Sequence, residues 1–148
     1  MTFFAFQAPK FKYQRPVVQV FLKQGRAKPF FHRHPWVFTG CIEKIVGKYA
    51  NGDEVEVLDK KGTFIGRGIV NDHSQIRVRL FSWTLDEKLD EDFFHKKLKS
   101  ALNYRREIGF TKESAYRLVN SEGDGLSGMI IDSYDKILGF NQLSLSIS

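Results

Sequence analysis

The 148-residue sequence has one cysteine, four prolines and no acidic residue before Glu43. Each scarcity excludes something. With Cys41 alone, neither an intrachain disulfide nor a cysteine-based zinc site can form. That cysteine usage fits a reducing, cytoplasmic setting. No apolar run approaches the ~20 residues of a membrane span, so no membrane partner is expected. The start, MTFFAFQAPKFKYQRP, lacks a signal peptide's order of basic end, apolar run and small-residue cleavage site. No internal repeat is visible. The length suits one domain, or one small domain plus part of another. A nucleotide-binding enzyme core would fill nearly all of it.

What is present is an ordinary globular composition, 42% hydrophobic and rich in phenylalanine, with 14 of them. General disorder is excluded. Lys plus Arg is 23 against 17 Asp plus Glu, a net +6, and its placement says more than its size. Seven bases (Lys10, Lys12, Arg15, Lys23, Arg26, Lys28 and Arg33) precede the first acid, whereas 16 bases face 17 acids from Glu43 onward. The whole excess therefore sits at the N-terminal end. Beside aromatics, it favours a polyanion partner, nucleic acid ahead of a membrane surface. A merely solubilising charge excess explains the net charge equally well.

Met1 to about Arg15 reads as a flexible tail, 1–16, whose Phe3, Phe4 and Phe6 pack on the domain or a partner. Val17 to Leu22 is a strand ended by Gly25. Pro29 suits the first turn of a short helix, and Pro35 closes it because His34 is pushed out of the helical region. Trp36 to Val46 reads as one extended run. Glu54 to Leu58, Thr63 to Val70 and Gln75 to Trp83 follow as strands, joined by turns at Asn51-Gly52, Asp59 to Gly62 and Asn71 to Ser74. In the last of these strands, Arg77 and Arg79 fall on one face and Ile76, Val78 and Leu80 on the other. About five short strands and a helix in roughly 70 residues argue for a small barrel.

The texture then changes. Phe93, Phe94, Leu98, Ala101, Leu102 and Ile108 recur at helical spacing, with Asp90 as N-cap and Gly109 as the stop. This predicts a helix from about 90 to 108. Tyr116 to Asn120, Gly128 to Tyr134 and Ile137 to Leu145 read as three strands of a second, unfinished unit. The expected fold is thus α+β and mainly β: a small β pseudo-barrel, a linker helix, then the start of a second β-rich domain.

Catalytic chemistry is hard to find. Gly66-Arg67-Gly68 and Gly123-Asp124-Gly125 lack the third glycine of a cofactor fingerprint. Cys41 reads as a small buried strand residue. His32, His34, His73 and His95 do not make a metal set, and none is expected. Glu122 and Asp124 form a paired-carboxylate candidate, but acids in such turns more often bond the local backbone. The strongest constellation is basic and aromatic: Arg26, Lys28, Phe30, Phe31, His32, Arg33, His34 and Trp36. Cations hold phosphates and planar rings stack on bases, the two things RNA recognition needs. Trp36, Phe38 and one of Phe30 or Phe31 are expected in the core. The candidate RNA-binding residues are Arg26, Lys28, Arg33 and His34, with Arg67, Arg77 and Arg79 extending the surface. The competing reading of the last three is the solvated face of an antiparallel sheet.

A pattern runs through these residues. Gly25-Arg26-x-Lys28-Pro29 and Arg33-His34-Pro35-Trp36-Val37-Phe38-x-Gly40 open it. It continues at Gly66-Arg67-Gly68, Ser74-Gln75-Ile76-x-x-Arg79, Tyr116-Arg117-Leu118 and Glu122-x-Asp124-Gly125-Leu126-x-Gly128-x-x-x-Asp132. It resembles the N-terminal portion of the PUA-containing, SAM-dependent bacterial 23S rRNA cytosine methyltransferases, from about 17 to 143. Two positions depart from that pattern: Ser127 stands where proline is expected, and Asp72 in a turn where proline is common.

The resemblance implies a PUA-like RNA-binding domain at 17–83, a linker helix at 84–110 and an incomplete central β-rich domain at 111–148. It implies rRNA as partner. The family's methyltransferase domain, with its S-adenosylmethionine loop and catalytic cysteine, follows that portion and is not within these 148 residues. The chain alone is therefore expected to be inactive and to hold no cofactor, as a truncated relative of the enzymes. The other readings are a protein-interaction module that self-associates through its C-terminal strand near Leu143, and a truncated gene product.

Overall fold

A computed structural model describes residues 17–142, except 112 and 136. The predicted tail and the end of the last predicted strand, including Leu143, lie outside the described residues. In chain order the elements are β1 (Val18–Leu22), α1 (Lys28–Phe31), β2 (Trp36–Phe38), β3 (Ile42–Val46), β4 (Glu54–Leu58), β5 (Phe64–Val70) and β6 (Ile76–Ser82). They continue with α2 (Glu91–Glu107), β7 (Ala115–Asn120), β8 (Met129–Tyr134) and β9 (Ile137–Gln142). The mainly β, α+β expectation holds.

The first six strands form one sheet in the order β2-β6-β5-β4-β1-β3. Only the β1–β4 pair is parallel. Register shifts at Phe21/Leu22, Val37/Phe38, Val57/Leu58 and Arg67/Gly68 raise the local twist and curl the sheet into a half-barrel. Its concave side holds Val20, Leu22, Val37, Val55, Val57, Val70 and Val78, all with no exposed surface. Phe30 of α1 plugs the same core.

One predicted element divides. Trp36 to Val46 is two strands on opposite edges of the sheet, separated by a 3-10 turn over Thr39–Cys41. The turn is fixed where Thr39 N–H donates to Gln75 O at 3.0 Å and Ile42 N–H folds back to Thr39 O. Cys41 is consequently a half-buried turn residue, not a buried strand residue.

The convex side of β5 and β6 is covered as well. Ile69 and Phe81 point away from the half-barrel and meet Leu89, then Phe93, Phe94 and Ala101 of α2, then Val119 and Leu126. Phe81 and Phe93 both meet Phe94 edge-on, with centroids 5.6 and 5.3 Å apart. At ~1.5–3 kcal/mol for each large apolar side chain buried, this second core ties helix and second sheet to the first. α2 starts as expected: the Asp90 carboxylate accepts from Phe93 N–H at 3.0 Å.

Sheet spacing explains one motif. A Cβ on Gly68 would lie 2.2 Å from Arg79 O, and one on Gly66 2.7 Å from Ser82 O. Gly66-Arg67-Gly68 lets β6 approach β5; it is not a ligand loop. β7, β8 and β9 form a separate antiparallel sheet in that order.

Candidate nucleic-acid interface

The segment between β1 and β2 carries a run of exposed cations, Arg26, Lys28 and Arg33. Pro29 opens α1 and buried Phe30 anchors it. The helix ends after one turn: Arg33 N–H donates to Phe30 O at 3.0 Å and His34 N–H to Pro29 O at 3.1 Å. This closure needs a left-handed residue, usually glycine, and here Arg33 takes it at φ 65°. The strain costs roughly 1–2 kcal/mol and holds an arginine at the tip of the turn. Arg26, Lys28, Arg33 and His34 are all exposed. Among the described residues, no ion pair neutralises Arg26, Lys28 or Arg33.

From this turn a row of rings runs onto β2. Phe30, His34, Trp36 and Phe38 meet edge-to-face in succession, with centroids 6.1, 6.0 and 6.5 Å apart. The strand's period of two places Val37 in the core and Trp36 and Phe38 on the outer face, with exposed His34 just before the strand. Phe38, expected in the core, is therefore 42% exposed, and Trp36 only half-buried. Of the pair weighed for the core, Phe30 is inside and Phe31 is out. The signal for Phe38 was present: alternation around Val37 marks it as outward.

The three sheet arginines behave differently. Arg67 is buried, its guanidinium bridging Glu54 Oε1 at 3.0 Å and Glu56 Oε1 at 2.7 Å while Nε–H donates to Leu85 O at 3.1 Å. Register sets this, because Arg67 pairs opposite Glu56 on the neighbouring strand. Arg79 is buried too, 3.4 Å from Ser127 Oγ and 3.6 Å from Glu122 Oε1. Burial lowers its pKa, and the Glu122 charge opposes that. Arg77 is half-buried and ion-paired with Asp72, which also accepts from Tyr49 OH at 3.0 Å. The expectation that Arg67 and Arg79 extend the cationic surface is corrected: both are spent on internal partners. Nor do they lie on a solvated sheet face, since α2 and the second sheet cover that side.

The two acids of the Glu122-x-Asp124 turn serve structure. Glu122 Oε1 accepts from the Trp36 indole at 2.7 Å and from Ser127 Oγ at 2.8 Å. Burial alone would raise its pKa, but bonds from Ser121, Ser127 and Trp36 win and hold it at about 2. Asp124 takes both guanidinium nitrogens of Arg105, at 2.9 and 2.7 Å, and Asn120 N–H. The turn thus does bond local backbone, as expected, but its main partners are on the half-barrel and on α2. Sequence gave no pointer to Trp36 as the partner of Glu122. Ser127, one of the two departures from the family pattern, supplies part of that network.

The described residues hold no group of three or more His, Cys, Asp or Glu placed to bind a metal, and no helix long and apolar enough to cross a membrane. Strand β6 fills the space over Gly66 and Gly68, Asp124 is committed to Arg105, and Lys97 Nζ lies 3.1 Å from a Cβ built on Gly125.

Residues 20–83 match the PUA-like domain family. The ribosomal RNA large subunit methyltransferase I of Alteromonas mediterranea is 39% identical over 127 residues, which cover 85% of this chain and 32% of that protein. Its namesake from Shewanella amazonensis is 40% identical over 131 residues, with 86% and 32% covered. A candidate SAM-dependent methyltransferase from Streptococcus mutans shares the fold, with TM-score 0.70 at 19% identity over 86% of this chain and 33% of that one. A second candidate methyltransferase, solved as a complex with SAH, gives TM-score 0.63 at 19% identity. The chain spans about a third of the length of the curated relatives it matches, at 32%. The chain therefore carries a PUA-like domain at residues 20–83 and is similar, over 85% of its length, to about a third of a ribosomal RNA large subunit methyltransferase I.

Proposed function

We propose that this chain docks structured RNA, rRNA first, through the segment from Arg26 to His34. One observation carries the reading: Arg26, Lys28 and Arg33 stand exposed and, among the described residues, without ion pairs, whereas Arg67 and Arg79 are buried on internal partners. The mechanism is positioning. Cations neutralise phosphates and fix orientation, and the half-barrel supplies a rigid base. The rRNA methyltransferase relatives support the choice of RNA over other polyanions.

Filter binding to structured rRNA fragments over a salt series tests it. With ~3 phosphates neutralised, log affinity should fall by about 2–3 per tenfold rise in salt. Absent or salt-insensitive binding overturns the reading.

A second reading, self-association, is favoured by β9. It is a sheet edge, with Ile137 69% and Leu138 65% exposed. Light scattering that shows a strict monomer at high concentration removes it.

A further inference from the structure

The outer face of β2 differs from the cationic turn beside it. It carries Trp36 and Phe38 on the edge strand of the six-stranded sheet, and His34, two residues before the strand, meets Trp36 edge-on to continue the row. Phe38 is 42% exposed and His34 is exposed, which is unusual for rings that add nothing to either core. Trp36 N–H donates to His34 Nδ1 at 3.2 Å. That bond puts the proton of the neutral imidazole on Nε2, so the ring offers a donor as well as a face. Glu122 holds the indole of Trp36 from the other side, so the middle ring of the row is fixed in place.

We infer that this row is a stacking site for unpaired RNA bases, flanked by the phosphate-holding cations of the turn; the inference rests on the RNA-docking reading above. Two features select unpaired bases over duplex. Neighbouring rings meet at 88° and 87°, so no two present parallel faces, and bases stacked on successive rings are turned away from one another. A duplex keeps its base faces inside, where Phe38 and His34 have nothing to stack on. Charge complementarity names the occupant: Arg33 is next to His34 in sequence, and Lys28 and Arg26 lie on the same segment, so a polyanionic strand meets cations and rings together. Stacking tolerates any base, whereas His34 Nε2–H adds a preference for an acceptor edge or a phosphate oxygen.

The test uses the full chain and three RNAs of equal length: an unpaired strand, a hairpin with an unpaired loop, and a blunt duplex. Affinities are read by fluorescence anisotropy over a salt series. The unpaired strand and the loop should bind about ten-fold more tightly than the duplex. Phe38→Ala and His34→Ala should each remove most of that preference with the salt slope unchanged, and Phe38→Tyr should restore it. Arg33→Ala should lower the salt slope and leave the preference. Thermal melting of each variant confirms the fold; exposed Phe38 leaves it intact. If no RNA binds in any form, the docking reading itself fails. If RNA binds with a clear salt slope but without preference, or the preference survives both aromatic variants, docking stands and the stacking site is overturned.

Discussion

The indole Nε1–H of Trp36 donates to Glu122 Oε1 across 2.7 Å of space and 86 residues of sequence. Glu122 also takes the Ser127 hydroxyl and faces the buried guanidinium of Arg79. A single carboxylate therefore joins β2, β6 and the turn before β8. It fixes how the second sheet sits on the half-barrel, and it holds the middle ring of the exposed aromatic row.

Glu122→Ala should destabilise the chain by about 2–3 kcal/mol, because it strands a buried arginine without its carboxylate and an indole without an acceptor. Trp36→Phe should cost about 1 kcal/mol, and the double variant less than the sum of the two. Urea unfolding of the four proteins measures the coupling. Strict additivity would mean that the bond contributes nothing.

The same carboxylate sets an acid limit. Its folded pKa, about 2, lies below the ordinary 4.5. Stability from Glu122 is then fully present above pH ~4.5 and is lost as pH falls from there through about 2. Asp132, lowered by its bond to Arg117, adds to the loss in the same direction. Urea midpoints between pH 7 and pH 2 should fall, and Glu122→Gln should flatten part of that fall.

Gly68→Ala should prevent close β5–β6 pairing, since its Cβ would collide with the Arg79 carbonyl at 2.2 Å. The expected loss is about 2 kcal/mol or more. Gly40→Ala, with nothing within 4 Å, should change stability by less than about 0.5 kcal/mol. Thermal melts compare the two.

Arg33→Gly should raise stability and weaken RNA binding at once. Glycine relieves the left-handed strain, worth roughly 1 kcal/mol, while a phosphate contact disappears. Arg26→Ala should weaken binding with melting unchanged. Arg67→Ala should do the reverse in kind, lowering melting because Glu54 and Glu56 lose their shared partner. Paired melting and salt-titration curves separate these effects.

Local rules determined much of this protein. Period-two alternation placed β4 and β6, the turns at Asp59 to Gly62 and Asn71 to Ser74 bounded β5, and helical spacing with Asp90 and Gly109 placed α2, because those signals act between near neighbours. The uneven charge marked the Arg26–Arg33 segment, because no acid before Glu43 can neutralise it nearby. Only the tertiary structure decided which arginines are free. Whether Arg67 and Arg79 face water depends on strand register and on what α2 and the second sheet cover, and neither is written in the spacing of β5 or β6. The Trp36–Glu122 bond has the same origin: an indole and a carboxylate 86 residues apart meet only once two apolar cores have fixed the two sheets against each other.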